Sequence, residues 1–484
     1  MGDAVCYGNN CGVSALFGVF TGSGVSAKVH CTELRWPEGH SPPFAIANVS
    51  ITRPKAIILL FLINFSISKI MESLLQLETA LRAVVEESKR PNAAAAFASL
   101  RRADPNNDPA LTAVASRVVD LASEITQLLE PAYLALADHL FGYQHTQCLA
   151  AVVELRIPDY LAPGPQTFEQ LSISSGARRD RLRQVLRLLY NNGVFSYDAE
   201  TDSVRNNEAS EMLKQEHWTQ WHRWASVCSK QFYQMAQGLP RAMADGVTRS
   251  PAQVHYDTDE SMFSYLERNG TMVQLRECMG GAAIAQTPGM IAGYPWADLS
   301  NHTLFDLGGG DGSLIAGLLR AIPTLQGGIM DTPRVLPFLQ EGFHQPSSKY
   351  ADVASRIPPE RVIAGDFLQE VIPSEAYVMR WCLHDWNDEQ ACQILRNIRR
   401  SIINSPVSRL IVLESVLADG RWGRMSRLGD INVMVTAEHG QERTETQWRQ
   451  LAACTGWKVV SITQLPGAWP SAIDMRPVER PENV

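Results

Sequence analysis

The sequence predicts an α/β protein: a doubly wound, mostly parallel sheet in the C-terminal part, preceded by an α-helical domain with a winged-helix unit. Three observations carry this. A strand, a glycine loop and a helix follow one another over residues 303–321, short apolar strands ending in an acid recur beyond them, and residues 71–250 carry mainly helical periodicity and turn signals.

Composition sets the outer limits. A chain of 484 residues has room for about three domains. With 45% hydrophobic and 19% charged residues it holds enough apolar surface to offset the entropy of ordering, so a disordered chain is excluded. Forty-three basic residues against fifty-one acidic ones leave a net charge of −8. That sign disfavours nucleic acid and anionic membrane as partners and leaves a small molecule. The nine cysteines are scattered and none forms a Cys-x-x-Cys pair, so neither a disulfide framework nor a metal site is expected and a cytoplasmic location is. Met1-Gly2-Asp3 lacks the basic start of a secretory signal, and the apolar run 56–63 is too short to span a bilayer.

Residues 1–70 hold only eight charged side chains and open on a Gly/Ser/Cys-rich stretch without helical or strand period. They are expected to be a poorly structured extension, with Met71 as an alternative start. Leu74, Leu77, Leu81, Val84 and Val85 then recur at helical spacing. Arg90 to Asn107, with an alanine run and Asp104-Pro105-Asn106-Asn107, reads as linker and turn. From Asp108 a second helix carries Leu111, Val114, Val118, Leu121, Ile125 and Leu128 on one face.

Over 146–215 the pattern is a winged helix. A helix over 149–161 closes at Pro163-Gly164, Thr167 caps a short helix through Leu171, and Arg178 begins a longer one that Gly193 ends. Residues 194–205 read as a hairpin. Arg178, Arg179, Arg181 and Arg183 could face DNA, but on an acidic chain a solvated basic face is the stronger reading. Trp218, Trp221 and Trp224 are expected in core and cavity wall. Residues 251–300 follow as a helical connector lining a pocket.

Thr303 to Leu307 is a buried strand, Gly308 to Gly312 a glycine loop, and Ser313 to Ala321 an apolar helix. Dinucleotide binding wants Gly-x-Gly-x-x-Gly, and the last glycine is missing in either register; a phosphate loop wants Gly-Lys-Ser/Thr, and no lysine follows. Asp306, Gly308, Gly310 and Gly312 do fit Asp-x-Gly-x-Gly-x-Gly, the S-adenosylmethionine signature. Asp331 ends the next strand, placed for ribose hydroxyls, and Asp366 and Phe367 follow a third, placed to bracket an adenine. A further strand delivers His384 to the sheet's carboxyl edge, another ends in Glu414, and Glu442 precedes a helix opened at Thr444. A lone histidine is usually structural, but one at the edge of the sheet where a cofactor would bind is a candidate for catalysis; Glu442 could equally be a helix-start charge.

The glycine loop, His384-Asp385-Trp386 and Glu442-Arg443-Thr444, in this order and spacing, resemble the S-adenosylmethionine-dependent O-methyltransferases typified by plant caffeic acid O-methyltransferase, in its fungal secondary-metabolite form. The resemblance covers about residues 75–470. It implies a Rossmann-like catalytic domain over 301–475, a dimerising winged-helix domain over 71–250, a tail at 476–484, and metal-free transfer to a phenolic hydroxyl of a small aromatic substrate. The implied base is His384, with Glu414 and Glu442 supporting it. Cofactor contacts fall on Asp306, Gly308, Gly310, Asp331, Asp366, Phe367 and Arg380, and acceptor contacts on Met279, Asp385 and Met434. Two positions depart from the plant pattern: Arg380 replaces lysine, and Ala437-Glu438-His439-Gly440 replaces Asn-Pro-Gly-Gly. The rival readings are an NAD-dependent oxidoreductase and a non-catalytic winged-helix regulator that senses metabolites.

Overall fold

The computed structural model describes residues 53–104, 106–345 and 347–478. Cys6, Cys11, Cys31, the rest of the first fifty-two residues and the end of the tail from 479 lie outside the described residues. Contacts divide the chain into Met1–Ala94 and Ala95–Val484.

In the first unit a helix, Arg53–Ser88, runs straight through the boundary expected at 70/71. The expectation of an unstructured segment therefore fails over 53–70. The run 56–63 is apolar all round, so it carries no amphipathic period to read. The expected linker also contains a helix, Pro91–Arg101. Pro91 sits where a missing N–H is harmless, and the alanines that follow are the strongest helix formers.

Asp108 caps the helix Pro109–Leu129, accepting a 2.8 Å bond from the Ala110 N–H. Its apolar face is where the sequence puts it, yet no residue of this helix is buried and Leu128 is 79% exposed. In the next helix, Ala132–Leu140, Tyr133 is 71% exposed.

The winged helix forms from helices Gly142–Glu154, Phe168–Ser175 and Arg179–Asn191 with strands β1 (Gln166–Thr167), β2 (Ser196–Asp198) and β3 (Ser203–Arg205), paired in the order β1-β3-β2. Thr167 and Gln170 close a reciprocal capping box. The helix expected over 149–161 is broken after Glu154, because Arg156 turns left-handed (φ 54°) before the short helix Ile157–Tyr160. Arg178 pairs with Asp180, Arg179 with Glu169 and Arg183 with Asp202, so these three arginines are matched by acids of the same unit. Trp218 is 55% exposed and not core. Trp221 and Trp224 instead pack edge-on against Trp469, at 5.5 and 5.4 Å.

The C-terminal part is built on a seven-stranded sheet. Its strands are β4 (Thr303–Leu307), β5 (Gln326–Asp331), β6 (Val362–Ala364), β7 (Ala376–Arg380) and β8 (Arg409–Glu414); β11 (Trp457–Gln464) and β12 (Ser471–Pro477) complete it, and β9 (Val416–Leu417) and β10 (Arg443–Thr444) form a separate parallel pair. The order is β11-β12-β8-β7-β4-β5-β6, with β4 to β8 mutually parallel and β12 antiparallel to both its neighbours, β8 and β11. Strand order reverses between β4 and β7, which opens a crevice beyond their carboxyl ends. One apolar layer, including Leu314, Leu318, Ile329 and Val378, covers one face, and another, including Tyr377, Leu395, Trp448 and Trp457, covers the opposite face.

Candidate active site

Two loops meet at that crevice. After β4 the chain turns at Gly308, Gly310 and Gly312, with φ of 72°, 58° and 75°. L-side chains rarely adopt this conformation, and a Cβ on Gly308 would also stand 3.2 Å from the Cys382 thiol. Asp331, at the end of β5, accepts the Gly310 N–H through Oδ2 (2.9 Å) and the Thr332 N–H through Oδ1 (2.7 Å). After β6, Asp366 accepts the Leu368 N–H, and Phe367 packs edge-on to Trp386 at 6.0 Å. The ring of Phe367 lies 3.8 Å from the Cβ position of Gly308. Glycine loop, Asp331 and Phe367 thus line one recess.

Asp306 and Arg380 lie beneath that loop. Asp306 is buried and Arg380 half-buried; Asp306 Oδ2 and one buried terminal nitrogen of Arg380 have no hydrogen-bond partner. Burial, opposed by Arg380, pushes the Asp306 carboxyl up to about 7. Burial also lowers the Arg380 pKa, against the pull of Asp306 and Asp311. Arg380 reaches Ser313 Oγ at 3.5 Å.

The second loop follows β7. Trp381 is left-handed (φ 49°), and a single 3-10 turn, Leu383–Asp385, presents His384. Glu414, fully buried at the end of β8, accepts the Cys382 and Leu383 N–H groups through Oε1 at 2.8 and 2.9 Å. Its Oε2 stands 3.2 Å from His384 Nδ1. Glu442 Oε1 is 3.0 Å from the same nitrogen and accepts its bond. An Nδ1–H has one proton, and its direction suits Glu442, so Glu414 Oε2 acts beside it as a charge. The β9–β10 pair brings Glu442 to Glu414, and the Asp430 carboxylate accepts the Glu442 N–H at 2.8 Å. The His384 side chain is 12% exposed, and its Nε2 lies 3.8 Å from Asp385.

Charge at this cluster is strongly perturbed. Burial disfavours an imidazolium at His384, but Glu414 and Glu442 outweigh it, and the pKa is pushed up to about 10. Burial, opposed by His384, pushes Glu414 up to about 7. The Asp385 carboxyl is raised by burial as well. Ligand atoms of His384, Glu414 and Glu442 lie within 4.8 Å of one another, close enough for a cation to bind, although the Nδ1 proton occupies the same place.

Residues 137–216 match the O-methyltransferase dimerisation domain and residues 252–458 the O-methyltransferase domain. The chain is 93% identical over 468 residues to O-methyltransferase aclU of Aspergillus oryzae, covering 94% of this chain and 99% of that protein. It belongs to the O-methyltransferase family. A second relative, O-methyltransferase aclM of the same species, is 48% identical over 373 residues, or 76% of this chain and 86% of that one. Among solved structures, CalO1, a methyltransferase in calicheamicin biosynthesis with S-adenosylhomocysteine bound, superposes with a TM-score of 0.63 at 25% identity over 72% of this chain and 98% of its own. These matches set aside the oxidoreductase and regulator readings.

Within this O-methyltransferase the remaining predicted residues divide. Met279, on the helix Met272–Ala292, is 39% exposed, and Met434, on the helix Arg424–Thr436, is half-buried. Asp385 does stand beside His384. Sequence reasoning missed the role of Arg443. Its buried guanidinium donates to Asp388 (2.9 Å), the Leu383 carbonyl (3.1 Å) and the Trp386 carbonyl (2.7 Å), clamping the turn that carries His384. An arginine beside Glu442 in the quoted motif was the available signal. Asp430, twelve residues upstream of Glu442, left none.

Proposed function

We propose that this O-methyltransferase transfers a methyl group from S-adenosylmethionine to a phenolic hydroxyl of a small aromatic secondary metabolite, with His384 as general base. The observation that carries the reading is the buried Glu414–His384–Glu442 cluster at the sheet edge that also holds the glycine loop. The residues fit the donor. Asp306 and Arg380 each hold a buried atom with no hydrogen-bond partner, one an acceptor and the other a cationic donor, which suits an amino-acid zwitterion, and the positive-φ glycines leave a side-chain-free cradle beside Asp331 and Phe367. When bound, S-adenosylmethionine supplies a methyl already activated on a sulfonium.

The chain's own work is then to deprotonate and aim the acceptor. A phenol of pKa about 10 is mostly neutral at pH 7, and making phenolate in water there costs about 4 kcal/mol. An imidazole raised to about 10 matches that proton affinity. In the small fraction of enzyme whose imidazole is unprotonated, a fraction that grows about tenfold per pH unit, the proton then moves from the hydroxyl to Nε2 almost without a free-energy step. Glu442 keeps the other proton on Nδ1 and so leaves Nε2 as the acceptor nitrogen, as a carboxylate does for histidine in a hydrolase triad. Positioning for in-line attack can supply roughly 7–11 kcal/mol more.

The exposed apolar faces of helices Pro109–Leu129 and Ala132–Leu140, next to the matched dimerisation domain, support a homodimer. No helix among the described residues is long and apolar enough to cross a membrane, and a cytoplasmic site of action is part of the proposal. The test is His384→Ala. Turnover, read as a product gain of about 14 Da for H replaced by CH₃, should fall to background while calorimetric affinity for S-adenosylmethionine stays within a few fold. Unchanged turnover would remove His384 from the chemistry.

A further inference from the structure

Away from this site, the described residues contain one pair of thiols in contact. Cys392 lies on the helix Asp388–Ser401, and Cys454 is the last residue of the helix Glu445–Cys454; their sulfurs are 3.4 Å apart. Cys454 is exposed and Cys392 half-buried. A disulfide needs about 2.05 Å, so each sulfur would move about 0.7 Å. The neighbouring surface holds a cleft of about 360 Å³, where Arg396, Arg399 and Arg400 of the first helix outnumber the one acid, Glu389, and which reaches Thr455, the residue after Cys454.

We propose that Cys392 and Cys454 form a reversible disulfide, loaded by a small anionic disulfide of the glutathione class that docks its carboxylates on Arg396 and Arg400. The Cys454 thiolate attacks one sulfur of the oxidant, forms a mixed disulfide and releases the first glutathione thiolate. The Cys392 thiolate then attacks the Cys454 sulfur and expels the second. Two electrons leave the protein thiols, one glutathione disulfide becomes two glutathiones, and the two thiol protons go to those products. Burial pushes the Cys392 thiol up to about 11, which keeps it from attacking first; the exposed Cys454 sulfur meets the oxidant, and Cys392 enters only in the second step, where a sulfur 3.4 Å away makes the attack intramolecular.

The bond would staple the two helices that continue directly from the functional loops. Helix Asp388–Ser401 follows the His384 turn and helix Glu445–Cys454 follows Glu442-Arg443-Thr444. Arg443 and Asp388 already clasp them near their starts. A crosslink between residues 62 positions apart removes much loop entropy from the unfolded chain, so stability should rise while the His384 geometry is kept.

The experiment incubates the full-length protein with glutathione disulfide. The expected result is a mass loss of about 2 Da for two hydrogens, a crosslinked peptide joining positions 392 and 454, and a melting temperature several degrees higher, all reversed by dithiothreitol. Cys392→Ser should trap a glutathione adduct of about 305 Da at Cys454, Cys454→Ser should take up none there, and Arg396→Ala with Arg400→Ala should slow loading several-fold. A crosslink between other cysteines, two free thiols after oxidation, or an adduct that forms equally fast without the arginines would overturn the proposal.

Discussion

Replacing Glu442 by glutamine isolates the electrostatic support of the proposed base. The amide keeps the shape and can still accept the Nδ1–H, but the charge 3.0 Å from the ring is gone. His384 stands at about 10 against an ordinary 6.5, which corresponds to about 5 kcal/mol of net preference for the cation. Glu414 and Glu442 approach the same nitrogen at 3.2 and 3.0 Å, and Asp385 adds to their pull, so losing the Glu442 charge should bring the His384 pKa down. The sign follows directly: removing an anion destabilises the imidazolium. The assay is kcat/KM for a phenolic acceptor from pH 6 to 10.5. In the native enzyme it should climb about tenfold per pH unit through 7 to 9, because only the unprotonated imidazole can take the acceptor's proton. In the variant the climb should level off at a lower pH than in the native enzyme, on a lower plateau set by the weaker base. A limb that stays in place, or moves to higher pH, would refute the assignment.

Asp331→Ala should weaken S-adenosylhomocysteine binding at least tenfold by calorimetry, because it removes both the expected ribose acceptor and the bond that holds the Gly310 N–H; unaltered affinity would take Asp331 out of that site. Arg443→Met should destabilise by about 2–4 kcal/mol, since it leaves the Leu383 and Trp386 carbonyls without their buried donor; denaturant melts with an unchanged midpoint would contradict the clamp. Leu121→Asp, on the exposed face of helix Pro109–Leu129, should shift the native mass from dimer to monomer in light scattering; a persistent dimer would move the interface elsewhere.

The parallel strands β4 to β8 were legible because each is a short apolar run with a chemical marker at or just after its end, whereas β11 and β12 carry no such marker and went unread. Asp331, Glu414 and the glycine loop fall at strand ends, and parallel topology alone brings those ends to one edge. The segments misread were those whose structure leaves no alternating or helical period. Residues 53–70 lie in a helix whose apolar run has no polar face, and 91–101 form a helix from alanines that read as filler. The helix break at Arg156 depends on a left-handed backbone that arginine seldom takes, so no composition rule announces it. Met279 and Met434 stood on the resemblance alone, since a methionine looks the same in a core, in a pocket wall or, as with the partly exposed Met279, on a surface.

Glu414 and Glu442 are both buried and both face Nδ1, yet they are not equivalent. Glu414 spends one oxygen on the Cys382 and Leu383 N–H groups, so the anion that raises His384 also builds the turn that presents it. Neutralising it would disturb folding and chemistry together, and a rate loss there would assign neither. Glu442 is anchored through its backbone, by Asp430 and the β9–β10 pair, and offers its side chain to the imidazole. The position that looked most like an incidental helix-start charge is therefore the one where charge can be removed with the scaffold left standing.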